Sequence, residues 1–179
     1  MASQQREHFI VEPMLNAEPE IGRWLWIFQE CRERTKRELS RLTPATTDWL
    51  PPDNASSIAT ILYHLADIEA DWLYTEVLEM PLPPELMAEF AFPTRDSQGH
   101  LTQVTGFTLD EHLTRLERVR GLVLEVYQQM TLEDFRRVRS LPNYDVTPEW
   151  VLHHLMQHEA EHRGQIGTLR AMAEQALAA

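Results

Sequence analysis

Trp150-Val151-Leu152-His153-His154-Leu155-Met156-Gln157-His158-Glu159-Ala160-Glu161-His162-Arg163-Gly164-Gln165-Ile166 is the stretch from which the fold can be read. At about 100° per residue its apolar stripe runs Val151, Leu155, His158, His162, Ile166, Leu169 and Ala173. The spacing therefore predicts a helix in which two imidazoles take places that the pattern assigns to aliphatic side chains. Without partners, two buried polar rings would each cost on the order of 1–3 kcal/mol, and one shared divalent ion is an economical way to satisfy both. Thr147-Pro148-Glu149 supplies an N-cap, a proline at the first helical position and an acid in the first turn, so the helix is expected from there to about Gln175.

Three more helices follow from the same periodicity. Ile21, Trp24, Leu25, Phe28, Cys31, Leu39 and Leu42 mark the first, from Pro19 to about Leu42, which Thr43-Pro44 ends. Trp49-Leu50-Pro51-Pro52-Asp53-Asn54 is a turn-rich connection, after which Ser56 or Ser57 caps a second helix over about 57–79, with stripe Ile58, Ile61, Leu62, Leu65, Ile68 and Trp72. The third, about 109–130, opens on the capping box Thr108-Leu109-Asp110-Glu111 and buries Leu113, Leu116, Val119, Leu122, Val123, Val126 and Met130. His112 falls off that stripe and is expected at the surface. Thr131-Leu132-Glu133-Asp134 reads as a one-turn cap, and Phe135-Arg136-Arg137-Val138-Arg139 is too short to carry a sheet.

Between Pro81 and Thr108 lies a connection long enough to cross over the length of a bundle, which would set the second and third helices parallel. Phe90, Phe92 and Phe107 are expected to pin it to the body, Gly99 and Gly106 to bend it, and a short helix fits Pro84–Phe90. The architecture is all-α, a four-helix bundle, with the whole chain 1–179 as one domain and residues 1–17 as an N-terminal arm.

Composition narrows the function. Lys plus Arg is 16 and Asp plus Glu is 28, a formal charge of −12, so a phosphate backbone would be repelled and no nucleic acid is expected as partner. The basic runs Arg32, Arg34, Lys36, Arg37, Arg41 and Arg136, Arg137, Arg139 read as solvated helix faces. Cys31, the only cysteine, has no disulfide partner within the chain and sits at core spacing. Neither a secretory h-region nor a bilayer-length apolar run is present, so no membrane is expected and the localisation reads as cytoplasmic.

Four residues apart on one face, His158 and His162 have the spacing for gripping one metal, and a third ring must come from elsewhere. His64, between Ile61 and Ile68 on the second helix, is the remaining histidine on an inward face. Three neutral imidazoles leave one to three coordination positions open, the arrangement of a catalytic centre and not of a closed structural site.

Tyr63-His64-Leu65-Ala66-Asp67-Ile68-Glu69 together with His158-Glu159-Ala160-Glu161-His162-Arg163-Gly164-Gln165-Ile166 resembles the DinB superfamily, four-helix bundles that include YfiT-like metal proteins and thiol-dependent transferases. The likeness runs from the first helix to the last. It implies an up-down-down-up bundle, often dimeric, holding zinc or nickel on three histidines that map onto His64, His158 and His162. It also implies transfer or isomerisation of a small-molecule substrate with a low-molecular-weight thiol, and an open metal site serves hydrolysis equally well.

Around this triad, Asp67 and Glu159 are the candidates for a catalytic base, with Asp71 and Gln165 as further groups able to orient a ligand ring. His153 and His154 read as a surface pair with one ring partly tucked in. Arg163 is expected to pair with Glu159 or Asp67. His158-Glu159-Ala160-Glu161-His162 also satisfies H-E-x-x-H, in which Glu159 would be a protease's base. The following Arg163-Gly164-Gln165 departs from the extended metalloprotease pattern, and Glu174, the one acid downstream, lies on the same helix. A further alternative is a non-catalytic metal-binding or dimerisation module.

Overall fold

A computed structural model describes residues 8–40, 42–52 and 56–178. Met1–Glu7 of the arm, Arg41 of the first basic run, and Asp53 and Asn54 of the turn-rich connection lie outside the described residues. Four long helices form the body: α1 (Pro19–Leu39), α3 (Ile58–Trp72), α5 (Leu109–Gln128) and α7 (Pro148–Leu177). Three short ones, α2 (Pro44–Thr47), α4 (Pro84–Met87) and α6 (Leu132–Arg136), sit in the connections. Each long helix starts where a side chain can accept from a free backbone N–H: Glu18 for α1, Ser57 for α3, Thr108 with Glu111 in a reciprocal box for α5, and Thr147 for α7. Leu73–Val77 continues α3 as a π-helical turn, closed by Leu78 N–H donating to Leu73 O at 3.0 Å.

Side-chain pairs fix the directions of the helices. Arg170 donates to Glu38 O and the Cys31 thiol to Met156 O, so α1 and α7 run side by side in parallel. The Arg115 guanidinium lies over the Tyr63 ring and Glu69 meets Arg120, so α3 and α5 are parallel too. His64 against His158 and Trp72 against Trp150 make α3 and α7 antiparallel. This is the up-down-down-up order, and the 78–108 crossover makes it possible. The crossover is held by Phe90 and Phe92, each edge-on to Tyr63 at 5.6 and 5.8 Å, and by buried Leu86 and Val104. Gly99 and Gly106 turn it at φ 86° and 83°, where an L side chain would be strained.

The apolar core has two halves. Ile21, Leu25, Phe28, Val123, Tyr127, Leu152 and Leu155 pack at one end, and Leu39, Ile58, Leu62, Leu65, Leu116, Val119 and Ile166 at the other. Each fully buried aliphatic or aromatic side chain contributes about 1.5–3 kcal/mol. At the waist between them sit four charges, one from each long helix: Arg32, Glu69, Arg120 and Glu159, all at most 3% exposed. Arg32 Nε donates to Glu159 Oε1 and its Nη2 to Glu69 Oε2, both at 2.8 Å. Arg120 donates to Glu69 Oε1 at 2.6 Å and to Glu159 Oε2 at 2.7 Å, over the face of Phe28. Their remaining donors reach Leu116 O and Phe28 O. Two guanidiniums and two carboxylates cancel, so the waist is neutral and its hydrogen bonds are well furnished.

Several sequence expectations need correcting. Arg32 is buried, not solvated, because its charge is neutralised inside the bundle. Arg139 is 2% exposed, its guanidinium spent on Val77 O, Asp134 O, Arg137 O and the Asp134 carboxylate. His112 is fully buried instead of exposed: it lies four residues before Leu116, packs edge-on against Phe107 at 5.7 Å, and meets Arg115 through Nδ1. The segment thought too short for a sheet forms a minimal one, β1 (Arg139–Ser140) antiparallel to β2 (Asp145–Val146). The first helix ends at Leu39 rather than Leu42.

Candidate metal centre

His64 projects from the middle of α3, and His158 and His162 from successive turns of α7, across the antiparallel interface of the two helices. Their Nε2 atoms meet. His158 Nε2 is 3.1 Å from His64 Nε2 and 3.1 Å from His162 Nε2, and one ligand nitrogen from each ring lies within 4.8 Å of the other two. Two nitrogens bound to one tetrahedral ion at about 2.0–2.1 Å stand about 3.3 Å apart, so the spacing fits a shared cation. The rings are mutually edge-on, with centroids 4.5–5.1 Å apart.

Burial lowers the pKa of all three rings: His158 is pushed down to about 3 and His64 to about 4, with neighbouring histidines reinforcing the effect, and His162 falls below its usual value although Gln165 and Glu161 oppose the shift. The rings are therefore neutral near pH 7, the form that offers a lone pair. His162 Nδ1 lies 2.8 Å from Gln165 Oε1 and donates to it, which places the lone pair on Nε2. A neutral His158 has at most one hydrogen on Nε2. With His162 offering only a lone pair, that one hydrogen can make a linear bond to one neighbour only, whereas a cation between the three nitrogens engages all of them.

The other polar candidates divide. Asp67, half-buried one turn beyond His64, accepts from the Thr94 hydroxyl at 2.6 Å, which ties the crossover to α3; burial raises its pKa. Asp71 is exposed and accepts from Thr75. Glu159 is not available as a base: its carboxylate is locked between Arg32 and Arg120, which hold its pKa down to about 2 against the opposing effect of burial. The protease reading, which needs Glu159 beside the metal, falls with it. Arg163 pairs with neither predicted carboxylate and donates to Cys31 O at 3.2 Å. The Cys31 thiol is buried and its pKa raised, mainly by desolvation, which leaves it a packing residue.

His153 is exposed, whereas His154 is partly buried in an aromatic stack. Its ring lies 4.2 Å from Trp72 and 5.0 Å from Trp150, the latter nearly parallel, and it stacks toward His158 at 6.1 Å. On the opposite side of the cluster, His162, Gln165, Arg95, His100 and Leu101 border a cavity of about 690 Å3. Sequence reading missed Arg95, which the crossover brings over the site, and the Trp72–His154–Trp150 stack, because both depend on contacts between separate segments.

Comparison with known proteins agrees with the fold described above. A conserved protein from Enterococcus faecalis superposes with a TM-score of 0.67 at 18% identity, covering 85% of this chain and 95% of its own. YfiT from Bacillus subtilis, described as "a probable metal-dependent hydrolase with an unusual four-helix bundle topology", superposes with a TM-score of 0.56 at 15% identity, covering 94% of this chain and 92% of its own. At these identities the likeness is one of fold. No curated protein sequence matches. Among the described residues, no helix is long and apolar enough to cross a membrane. The sequence profile of the DinB superfamily matches residues 27–166, which spans the waist, the crossover and all three histidines, and the chain belongs to that superfamily.

Proposed function

We propose that His64, His158 and His162 hold one divalent metal ion, zinc or nickel by the nature of the imidazole donors, and that the protein is a metal-dependent enzyme acting on a small molecule. The observation that carries this reading is the convergence of three imidazole nitrogens from two helices, with His158 Nε2 3.1 Å from each of the other two, the spacing of ligands on one ion. A bound ion supplies Lewis-acid chemistry, lowering the pKa of a coordinated water or thiol to make a nucleophile near neutral pH. The chain's own residues do the rest. Gln165 fixes the His162 tautomer, Asp67 offers a half-buried carboxylate of raised pKa for proton transfer, and the cavity beside His162 admits the substrate. Hydrolysis is favoured over thiol-dependent transfer by the likeness in fold to YfiT, described as a probable metal-dependent hydrolase. The working form is expected to be a cytoplasmic homodimer, which sedimentation and cell fractionation would check.

Elemental analysis of protein purified without a histidine tag tests the site: one metal per chain is expected, lost in His64→Ala. Ester and amide hydrolysis should then be compared with conjugation of low-molecular-weight thiols to electrophiles, each with and without the metal. Metal-dependent turnover in the first panel supports a hydrolase and in the second a transferase. Stoichiometric metal with turnover in neither would make the protein a non-catalytic metal-binding module, and the absence of metal would overturn the centre itself.

A further inference from the structure

A second cavity, of about 420 Å3, opens where the β1–β2 hairpin leans over the start of α7. This is within the range of about 300–1,000 Å3 usual for small-molecule sites. Its walls are the indoles of Trp72 and Trp150, the ring of Tyr144 and the side chains of Val138 and Val146. Trp150, Tyr144 and Val138 are 47%, 45% and 54% exposed, a concentration of apolar surface that a bundle does not need for its own packing. Helical rise places Trp72 and Trp150 each about 12 Å along the axis from His64 and His158, so this cavity lies apart from the metal centre.

The carboxylates nearest to it are Asp145, Glu76 and Asp71. Asp145 lines it. Glu76 stands behind Tyr144, accepting the phenol at 2.7 Å, and Asp71 is close enough to act electrostatically on both. Glu76 is 4% exposed, and its second oxygen, Oε2, has no hydrogen-bond partner among the described residues. The neighbouring arginines are engaged elsewhere: Arg137 with Glu79 and Asp134, Arg139 with Val77 O and Asp134. Rings whose faces are electron-rich, set beside carboxylates and without a competing cation, form a surface complementary to an organic cation with an apolar body.

We infer that the Trp72–Tyr144–Trp150 cavity binds a compact quaternary or substituted ammonium group, with the indoles against its alkyl surface and Asp145 and Glu76 supplying the counter-charge. An anionic ligand would meet Asp145 in the wall, with Glu76 behind Tyr144 adding to the repulsion. A neutral apolar ligand would leave the charge at Glu76 unanswered.

Three probes of nearly one shape separate these cases: choline, its neutral carbon isostere 3,3-dimethylbutan-1-ol, and the anion 3,3-dimethylbutanoate. Each is titrated into the full-length protein while the indole N–H resonances of Trp72 and Trp150 are followed. Choline is expected to saturate and to bind about tenfold more tightly than the alcohol, with the acid weakest. Trp150→Ala and Asp145→Asn, both at exposed positions, should each weaken choline severalfold. His64→Ala, which abolishes the proposed metal centre, should leave choline binding unchanged. Equal affinity for alcohol and choline, preference for the acid, or no saturation by about 50 mM would overturn the inference at the affinity expected of a cation–π site. So would self-association that covers both indoles before any probe is added.

Discussion

Replacing Arg120 by methionine tests the waist of the bundle. The guanidinium donates four hydrogen bonds, to Glu69 Oε1 and Oε2, Glu159 Oε2 and Phe28 O. After Arg120→Met two carboxylates face the single charge of Arg32, and Glu69 Oε1 loses its donor. Stranding a buried charge in this way costs about 3–5 kcal/mol. For a chain of this size each kcal/mol moves the melting temperature by about 2–4 °C, so Tm should fall by roughly 6–20 °C. Adding Glu69→Leu removes one charge of the other sign and leaves Arg32 and Glu159 as a bonded pair through Nε–Oε1 at 2.8 Å. The double variant should therefore be more stable than Arg120→Met alone, even though it has lost more polar contacts. Urea denaturation of the wild type, both single variants and the double variant gives the coupling directly. Additive losses, with the double variant weaker than either single, would refute the account of the waist as a charge-balanced unit.

Three further outcomes follow from the structure. His112 has its pKa pushed down to about 4 by burial and by Arg115, so its contribution to stability is complete above about pH 6.5 and is lost as pH falls from there toward 4. The wild type should lose about 2–3 kcal/mol more between pH 7.5 and 4.5 than His112→Phe, and parallel stability curves would dismiss the effect. Gln165→Leu frees the His162 ring and should weaken metal binding by about 10–100-fold in competition with a chelator, while stability without metal is unchanged. Gly22 packs so closely on the preceding segment that an added Cβ would stand 2.9 Å from Met14 O; Gly22→Ala should break the Met14 N–H bond to Gly22 O and speed amide exchange at Met14.

What the sequence made legible were features that repeat or that cap. Ser57, Thr108 and Thr147 announced their helices because a capping side chain is local chemistry, and His64, His158 and His162 stood out because each interrupts an apolar stripe. The waist was illegible to a reading that follows apolar residues alone. Yet Arg32, Glu69, Arg120 and Glu159 each fall four residues after a buried core side chain, Phe28, Leu65, Leu116 and Leu155 respectively. One charged residue at a core position in each of four helices, with signs that sum to zero, is a usable signal. His112 carries the same mark, four residues ahead of Leu116. The hairpin carries none, since two residues per strand are too few for alternation to register.

His158 and Glu159 are neighbours in sequence, about 100° apart around α7, and they answer to different masters. One ring is fixed by the two other imidazoles, the next carboxylate by two arginines on α1 and α5. A helix pinned at adjacent residues in two directions cannot rotate about its own axis or slide by a residue without breaking both sets of contacts. α7 therefore has a single docking angle, and the act of seating it neutralises the interior and assembles the histidine cluster in the same movement.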